Sequence, residues 1–339
     1  MKALVICAGG GIGDVLLATP VMRALHARYD DVVALTTRAH AAVLQGNPDL
    51  AEVWHDDGVP FASQSGRIAA YGFDAAVVTW ATLRSAALPL AGRIPLRVGQ
   101  ARRLYSALFN RRVTVRSELG DRTTHWTQIL LDFARALDCD TSDALPFFAT
   151  SPQAREGAAQ LLRAADIAEP YAVLHPTRGI AGHRERWPVT RLGELGRALG
   201  ETLGCRVIVS GASSDAPIAD EVASIAGTGA VSLAGRTTLA EFGALAEGAR
   251  AVVAMDSGPM HVAAAVGAPT VGIFALQSDE PDRWAPLGPR TAVVRPEYPC
   301  PPGHRKETCP DFACVANLDI ARVLEALESL RAPRAEALP

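Results

Sequence analysis

Nowhere in the 339 residues does an apolar run last long enough to cross a bilayer as a helix, so a helical membrane protein is excluded. The N-terminal run Ala3 to Ala8 is short, and Gly9-Gly10-Gly11 and the charge of Asp14 break it, so no signal peptide is expected and a cytosolic protein is. Aromatic residues make up only 6% and the net charge is -3, so bulk electrostatics select no partner and nucleic acid is not expected. No GxxxxGK[ST] occurs, which sets aside a P-loop kinase. Cysteines number six without a CxxC pair. Cys300, Cys309 and Cys314 cluster with His304 in a Pro-rich loop, but their spacing does not match a zinc knuckle, and they read as structural thiols. Cys7 and Cys205 read as small hydrophobes in buried strands. The DxD-like run Asp138-Cys139-Asp140 sits beyond a helix end and is a poor metal site, so no metal is expected.

What is present is the grammar of an α/β protein. Apolar residues make up 49%, and the chain is long enough for two domains. Strands are expected at Ala3 to Ala8, Val32 to Thr37 and Ala75 to Thr79, with helices from about Asp14 to Tyr29, from Ala39, and near Thr124 to Leu137. A second set follows: Tyr171 to His175, Cys205 to Ser210, Ala230 to Leu233, Ala251 to Met255 and Thr270 to Phe274, with amphipathic helices between and a closing helix at Leu318 to Leu330. Alternation of this kind means parallel sheets covered on both faces. Occurring twice, it predicts two Rossmann-like domains, 1–150 and 151–339, with the boundary in Asp143 to Pro152 and helix Gln153 to Ala165 leading into the second. Ligands of such folds bind beyond the carboxyl ends of the strands.

Three such loops carry candidate chemistry. In MDSGPMHVAAAVGAPTVGIFA, a strand runs through Asp256, Ser257, Gly258 and Pro259 into an alanine-rich helix, a start that attracts anions, and His261 follows one turn later. In CAGGGIGDVLLATP, Gly9 and Gly11 would need a third glycine at position 14 to bind a dinucleotide. Asp14 stands there instead, and the second strand ends in Thr36-Thr37-Arg38 without an acidic residue, so a dehydrogenase is disfavoured. Asp14 at a helix start could simply cap it, yet the glycines strip the approach and leave a carboxylate suited to general-base work. In HPTRGIAGHRERWP, Thr177, Arg178, His183, Arg184 and Arg186 could neutralise a diphosphate, although a solvated basic loop would look the same. Gly211 to Asp215 and Ala234 to Thr238 end strands of the same sheet and could hold a nucleoside.

GGGIGDVLLATP, HP followed by RWP, and MDSGPMHVAAAVGAPTV, in that order and spacing, resemble the family-nine glycosyltransferases, whose best known members are ADP-heptose:lipopolysaccharide heptosyltransferases. IPLRVG, DRWAPLG and the terminal cysteine loop fit as well. The resemblance implies a GT-B architecture, two facing Rossmann-like domains with the acceptor on the first and the nucleotide-sugar donor on the second. It implies inverting, metal-independent transfer without a cofactor, the donor being ADP-heptose. Asp14 matches the catalytic base, with Gly11 beside the acceptor. Ser257, Gly258 and Pro259 match the diphosphate site, with Asp256 and His261 close by, Thr177 and Arg178 bordering it, and Asp215 and Thr237 toward the ribose and adenine. Where the family commonly has a lysine two residues before Trp-Pro, this chain has Glu185 flanked by Arg184 and Arg186, either of which could supply that cation with a different geometry. Ala275-Leu276-Gln277-Ser278 stands where the family has Gly-Pro-Thr.

Two other classes share this fold, a nucleotide-sugar epimerase and a non-catalytic nucleotide-sugar binder. Between Arg84 and Arg122 lie nine arginines opposed only by Glu118 and Asp121. Surface charge is the plain reading, but the block lies in the acceptor domain. It predicts that Arg102 and Arg103 dock an anionic glycolipid or oligosaccharide at the cytoplasmic face of the inner membrane, a peripheral contact.

Overall fold

The computed structural model describes residues 1–167, 170–177, 187–274, 281–297 and 313–331. The chain divides into two compact units, Met1–Ala149 and Thr150–Pro339. The first holds β1 (Lys2–Ile6), β2 (Asp31–Thr36), β3 (Glu52–His55), β4 (Ala75–Val78), β5 (Leu96–Gln100) and β6 (Arg111–Val113). They pair in the order β3-β2-β1-β4-β5-β6, all parallel. The second holds β7 (Tyr171–His175), β8 (Arg206–Val209), β9 (Ala230–Ser232), β10 (Val252–Met255), β11 (Thr270–Ile273) and β12 (Thr291–Val294). Their order is β12-β11-β10-β7-β8-β9, again all parallel. Each sheet thus has the doubly-wound order 3-2-1-4-5-6 and one switch point, between β1 and β4 and between β7 and β10.

The central strands are continuous apolar runs because helices cover both faces. Ala3 to Ile6, Val32 to Leu35 and Ala75 to Val77 are fully buried. The first core gathers Leu4, Ile6, Val33, Leu35 and Val78 around Trp54, whose ring meets the edges of Tyr71 and Phe73 at 5.2 and 5.6 Å. The second gathers Leu174, Leu192, Leu195, Val207, Val253 and Val271 around Trp187. Burying each such side chain contributes roughly 1.5–3 kcal/mol.

Several elements differ from the sequence expectation. The helix expected from Asp14 to Tyr29 is two, Ile12–Leu17 and Thr19–His26, broken at Ala18. Pro20 lacks the N–H that would bond the Leu16 carbonyl, and the Thr19 hydroxyl donates to that carbonyl instead at 2.8 Å. From Ala39 there is no α-helix, only a single 3₁₀ turn at Ala41–Val43. Three first-unit strands and two helices, Phe61–Tyr71 and Leu83–Ala91, were not anticipated, nor was β12. Cys7 is buried just beyond β1, and Cys205 is only half-buried, one residue before β8. The helix leading into the second unit, Pro152–Ala164, is capped by Ser151, whose hydroxyl accepts from the Ala154 N–H at 3.1 Å. The last helix among the described residues is Ile320–Arg331. Among the described residues no helix is long and apolar enough to cross a membrane.

Candidate active site

At the first switch point the loop after β1 is shaped by its glycines. Gly10 adopts φ +75°, which a side chain would strain, and a Cβ there would also meet the Asp14 carboxylate at 2.5 Å. A Cβ on Gly9 would lie 1.9 Å from Cδ1 of Trp80, the second residue after β4, so the two loops at the switch point are in contact. Asp14 is half-buried rather than projecting freely, and its Oδ2 accepts the Gly11 N–H at 2.8 Å. The capping role weighed from the sequence is therefore real. Burial pushes the Asp14 carboxyl above its ordinary value, while the Gly11 hydrogen bond and the nearby His40 oppose that. A carboxylate raised by burial yet pinned in direction is a competent proton acceptor. Gly11 itself is exposed.

At the second switch point the loops after β7 and β10 meet because Ala254 pairs with His175. Ser257 precedes the helix Gly258–Ala265, with Pro259 in its first turn. Its hydroxyl does not cap that helix; it donates back to the Met255 carbonyl at 2.9 Å. Ser257 thus gives the first-turn N–H groups no side-chain cap, the condition that favours an outside anion. Asp256 is half-buried, and His261 is 5% exposed, more enclosed than a helix-mouth residue.

Thr177 and Asp215 are brought together. The buried Thr177 hydroxyl donates to Asp215 Oδ2 at 3.1 Å, and the Ala212 N–H donates to the same oxygen at 3.0 Å. Behind them stands His175, which the sequence reading overlooked. Its Nδ1 lies 3.1 Å from Ser210 Oγ, its Nε2 3.5 Å from Thr177 Oγ1, and burial pulls the imidazole down to about 4. The signal was available: His175 ends β7 and Ser210 follows β8 at the paired position, since Leu174 pairs with Val209. Thr237 is half-buried just before Thr238, the cap of helix Leu239–Gly248. Arg178, Arg184 and Arg186, with His183 and Glu185, lie outside the described residues, as do Cys300, Cys309, His304 and 275–278.

In the arginine block Arg93, Arg102, Arg103, Arg111, Arg112 and Arg122 are exposed, while Arg84, Arg97 and Arg116 are engaged. Arg84 forms a two-pronged pair with the buried Asp56 at 2.8 Å on each arm, and Arg116 pairs in the same way with Asp132. Arg97 donates to the carbonyls of Ile94 and Leu108. Arg103 pairs with Glu118 at 2.8 Å, while Arg102 is exposed and donates to the Glu118 carbonyl at 3.4 Å. Acids distant in sequence thus balance two arginines of the block, Arg84 and Arg116.

The family model described as glycosyltransferase family 9 (heptosyltransferase) matches residues 63–311. The chain belongs to glycosyltransferase family 9. Over 118 residues it is 33% identical to lipooligosaccharide heptosyltransferase 2 of Haemophilus influenzae and to lipopolysaccharide heptosyltransferase 2 of Escherichia coli. Those stretches cover 34% of this family-9 chain and only 33% of each relative. In fold it is similar to the E. coli ADP-heptose lipopolysaccharide heptosyltransferase II, with TM-score 0.79, 23% identity, and 97% and 98% of the two chains covered. A family 9 glycosyl transferase from Veillonella parvula gives TM-score 0.81 at 18% identity, covering 97% and 96%. The α/β fold of the GT-B class expected from the sequence is the one these family-9 structures share.

Proposed function

We propose that this family-9 chain transfers a heptosyl group from ADP-heptose to a hydroxyl of a lipopolysaccharide core or related acceptor, with inversion and without a metal ion. One observation carries the reading. Each sheet brings a chemically complementary element to its switch point: a proton-accepting carboxylate, Asp14, in the first unit, and a helix start without a side-chain cap, at Ser257 and Gly258, in the second. The curated relatives, lipooligosaccharide and lipopolysaccharide heptosyltransferases, support heptose as the sugar and this acceptor class.

In this reading the acceptor O–H bond breaks and its proton passes to Asp14 as the oxygen attacks the anomeric carbon. The new C–O bond forms on the face opposite the bond to the diphosphate, which leaves with its electron pair as ADP. The N–H groups of Gly258 and its first-turn neighbours stabilise the charge that develops on the leaving phosphate, with cations from 178–186 assisting. Thr177 and Asp215 hold the nucleoside side. The exposed Arg102 attracts anionic groups of the acceptor, and the enzyme works as a peripheral protein on the cytoplasmic face of the inner membrane.

The test is turnover of ADP-heptose by the full chain, with and without a core oligosaccharide, in EDTA, with the product's anomeric configuration read by NMR. Acceptor-dependent, EDTA-resistant transfer with inversion is expected. Retention or loss of activity in EDTA overturns the mechanism. Donor turnover without acceptor points to an epimerase, and binding without turnover to a binder.

A further inference from the structure

The first unit contains a pocket of about 340 Å³ beyond the carboxyl ends of β4, β5 and β6 that the transfer chemistry above does not use. Its walls include Trp80 after β4, Gln100 at the end of β5, Glu118 in the 3₁₀ turn after β6, Tyr105, and Trp126 from helix Trp126–Arg135. The volume falls in the range of small-molecule sites, about 300–1,000 Å³. Its make-up is two-sided: indole and phenol rings offer flat apolar faces, while the Glu118 carboxylate, the Gln100 amide and the Arg103 guanidinium offer polar partners.

Glu118 is the informative group. Its Oε1 accepts from Gln100 Nε2 and from Arg103 Nη1, both at 2.8 Å. Its Oε2 is buried and has no hydrogen-bond partner among the described residues. A buried carboxylate oxygen left unpaired is costly unless a ligand donates to it. The site therefore wants a hydroxyl or ammonium donor at that oxygen and disfavours a second anion beside it, which would meet a like charge, while Arg103 on the pocket wall is engaged with Glu118 through Nη1. Trp80 joins this pocket to the Asp14 loop, since its indole rests against Gly9.

We propose that this pocket is a sugar subsite for the acceptor, in which a pyranose ring stacks on the aromatic walls and donates a hydroxyl to Glu118 Oε2, selecting a neutral ring against an anionic one. The identification of that sugar as acceptor rests on the transferase reading. The expectation from the arginine block changes accordingly: the unit seated nearest Asp14 is uncharged, and any phosphate of the acceptor lies outside this pocket.

The test titrates the full chain with methyl β-D-glucoside and methyl β-D-glucuronide and follows the indole N–H resonances of Trp80 and Trp126. The glucoside should shift both, and the glucuronide should bind about tenfold more weakly or less. Glu118→Gln, which keeps an oxygen for Gln100 and Arg103, should erase that preference. Trp80→Ala, at a side chain already 42% exposed, should lose glucoside binding while the fold persists. Equal binding of both glycosides, no shift with either, or a preference unchanged in Glu118→Gln overturns the subsite. ADP-heptose turnover by the same proteins separates the two claims. Indole shifts with intact selectivity but no donor turnover sink the transferase reading alone, and turnover without selectivity sinks the subsite alone.

Discussion

Acidification should cost this protein stability through a single buried imidazole, and the amount follows from its surroundings. His175 is 6% exposed at the end of β7, flanked by the hydroxyls of Ser210 and Thr177 and the edge of Phe242. Burial lowers it to about 4, against a smaller upward pull from Asp215. In the unfolded chain the same group takes its proton near pH 6.5. Between those values the unfolded state binds more protons than the folded state, so stability falls as pH falls, and above pH 6.5 the group contributes no slope. At about 1.4 kcal/mol per pH unit, going from neutrality to pH 5 costs about 2 kcal/mol from this residue alone. For a unit of this size that is roughly 4–8 °C in Tm. Thermal unfolding at pH 7.5 and pH 5.0 should be measured for the wild type and for His175→Gln, which keeps a donor and an acceptor but does not titrate. Acidic groups shift both proteins alike, so the His175→Gln curve should fall less by about that interval. Parallel loss in the two proteins would refute the argument, whatever the variant's absolute stability.

Further outcomes concern the two switch points. Asp14→Asn keeps an oxygen for the Gly11 N–H, so the fold should hold while turnover falls by roughly a hundredfold to ten-thousandfold; near-normal kcat would remove Asp14 from the chemistry. Because burial raises the Asp14 carboxyl, the acid limb of kcat/KM should lie above the ordinary 3.8, and a pH–rate profile that stays flat down to that value contradicts the assignment. Gly9→Ala would drive a methyl into the Trp80 indole, which is exposed enough to swing away; glucoside binding should weaken far more than Tm falls, and a protein that binds normally would show that the two loops adjust independently. Ser257→Asp should place the protein's own carboxylate over the helix start and weaken ADP binding at least about tenfold by calorimetry, and unchanged affinity would move the diphosphate elsewhere.

The second unit was the more legible of the two, for a physical reason. Its central strands are uninterrupted apolar runs such as Tyr171 to His175 and Val252 to Met255, and their ends coincide with loop residues that stand out chemically. In the first unit β3, β5 and β6 carry Glu52, His55, Arg97, Gln100, Arg111 and Arg112, so no apolar run marks them; pairing in the sheet, a tertiary fact, makes them strands. The helix break at Ala18 could have been read from Pro20. The Glu118 pocket could not, because Trp80, Gln100, Glu118 and Trp126 are distant in sequence and share no spacing. Two arginines of the block, Arg84 and Arg116, are matched by Asp56 and Asp132, acids well separated from it in sequence, so charge read along the chain overstates what those two leave free.

The two switch points show why one strand–turn–helix grammar serves two chemistries. After β1 the residue three beyond the turn is Asp14, and its carboxylate folds back to take the Gly11 N–H, so the protein's own anion occupies that helix start. An external phosphate there would meet a like charge, whereas a hydroxyl proton would meet an acceptor. After β10 the corresponding cap, Ser257, turns its hydroxyl onto the Met255 carbonyl and leaves the helix start without its cap. There an external phosphate meets N–H dipoles that Ser257 does not cap. The division of labour proposed here, acceptor activation in the first unit and leaving-group stabilisation in the second, thus follows from where two short side chains point rather than from the fold, which is the same in both.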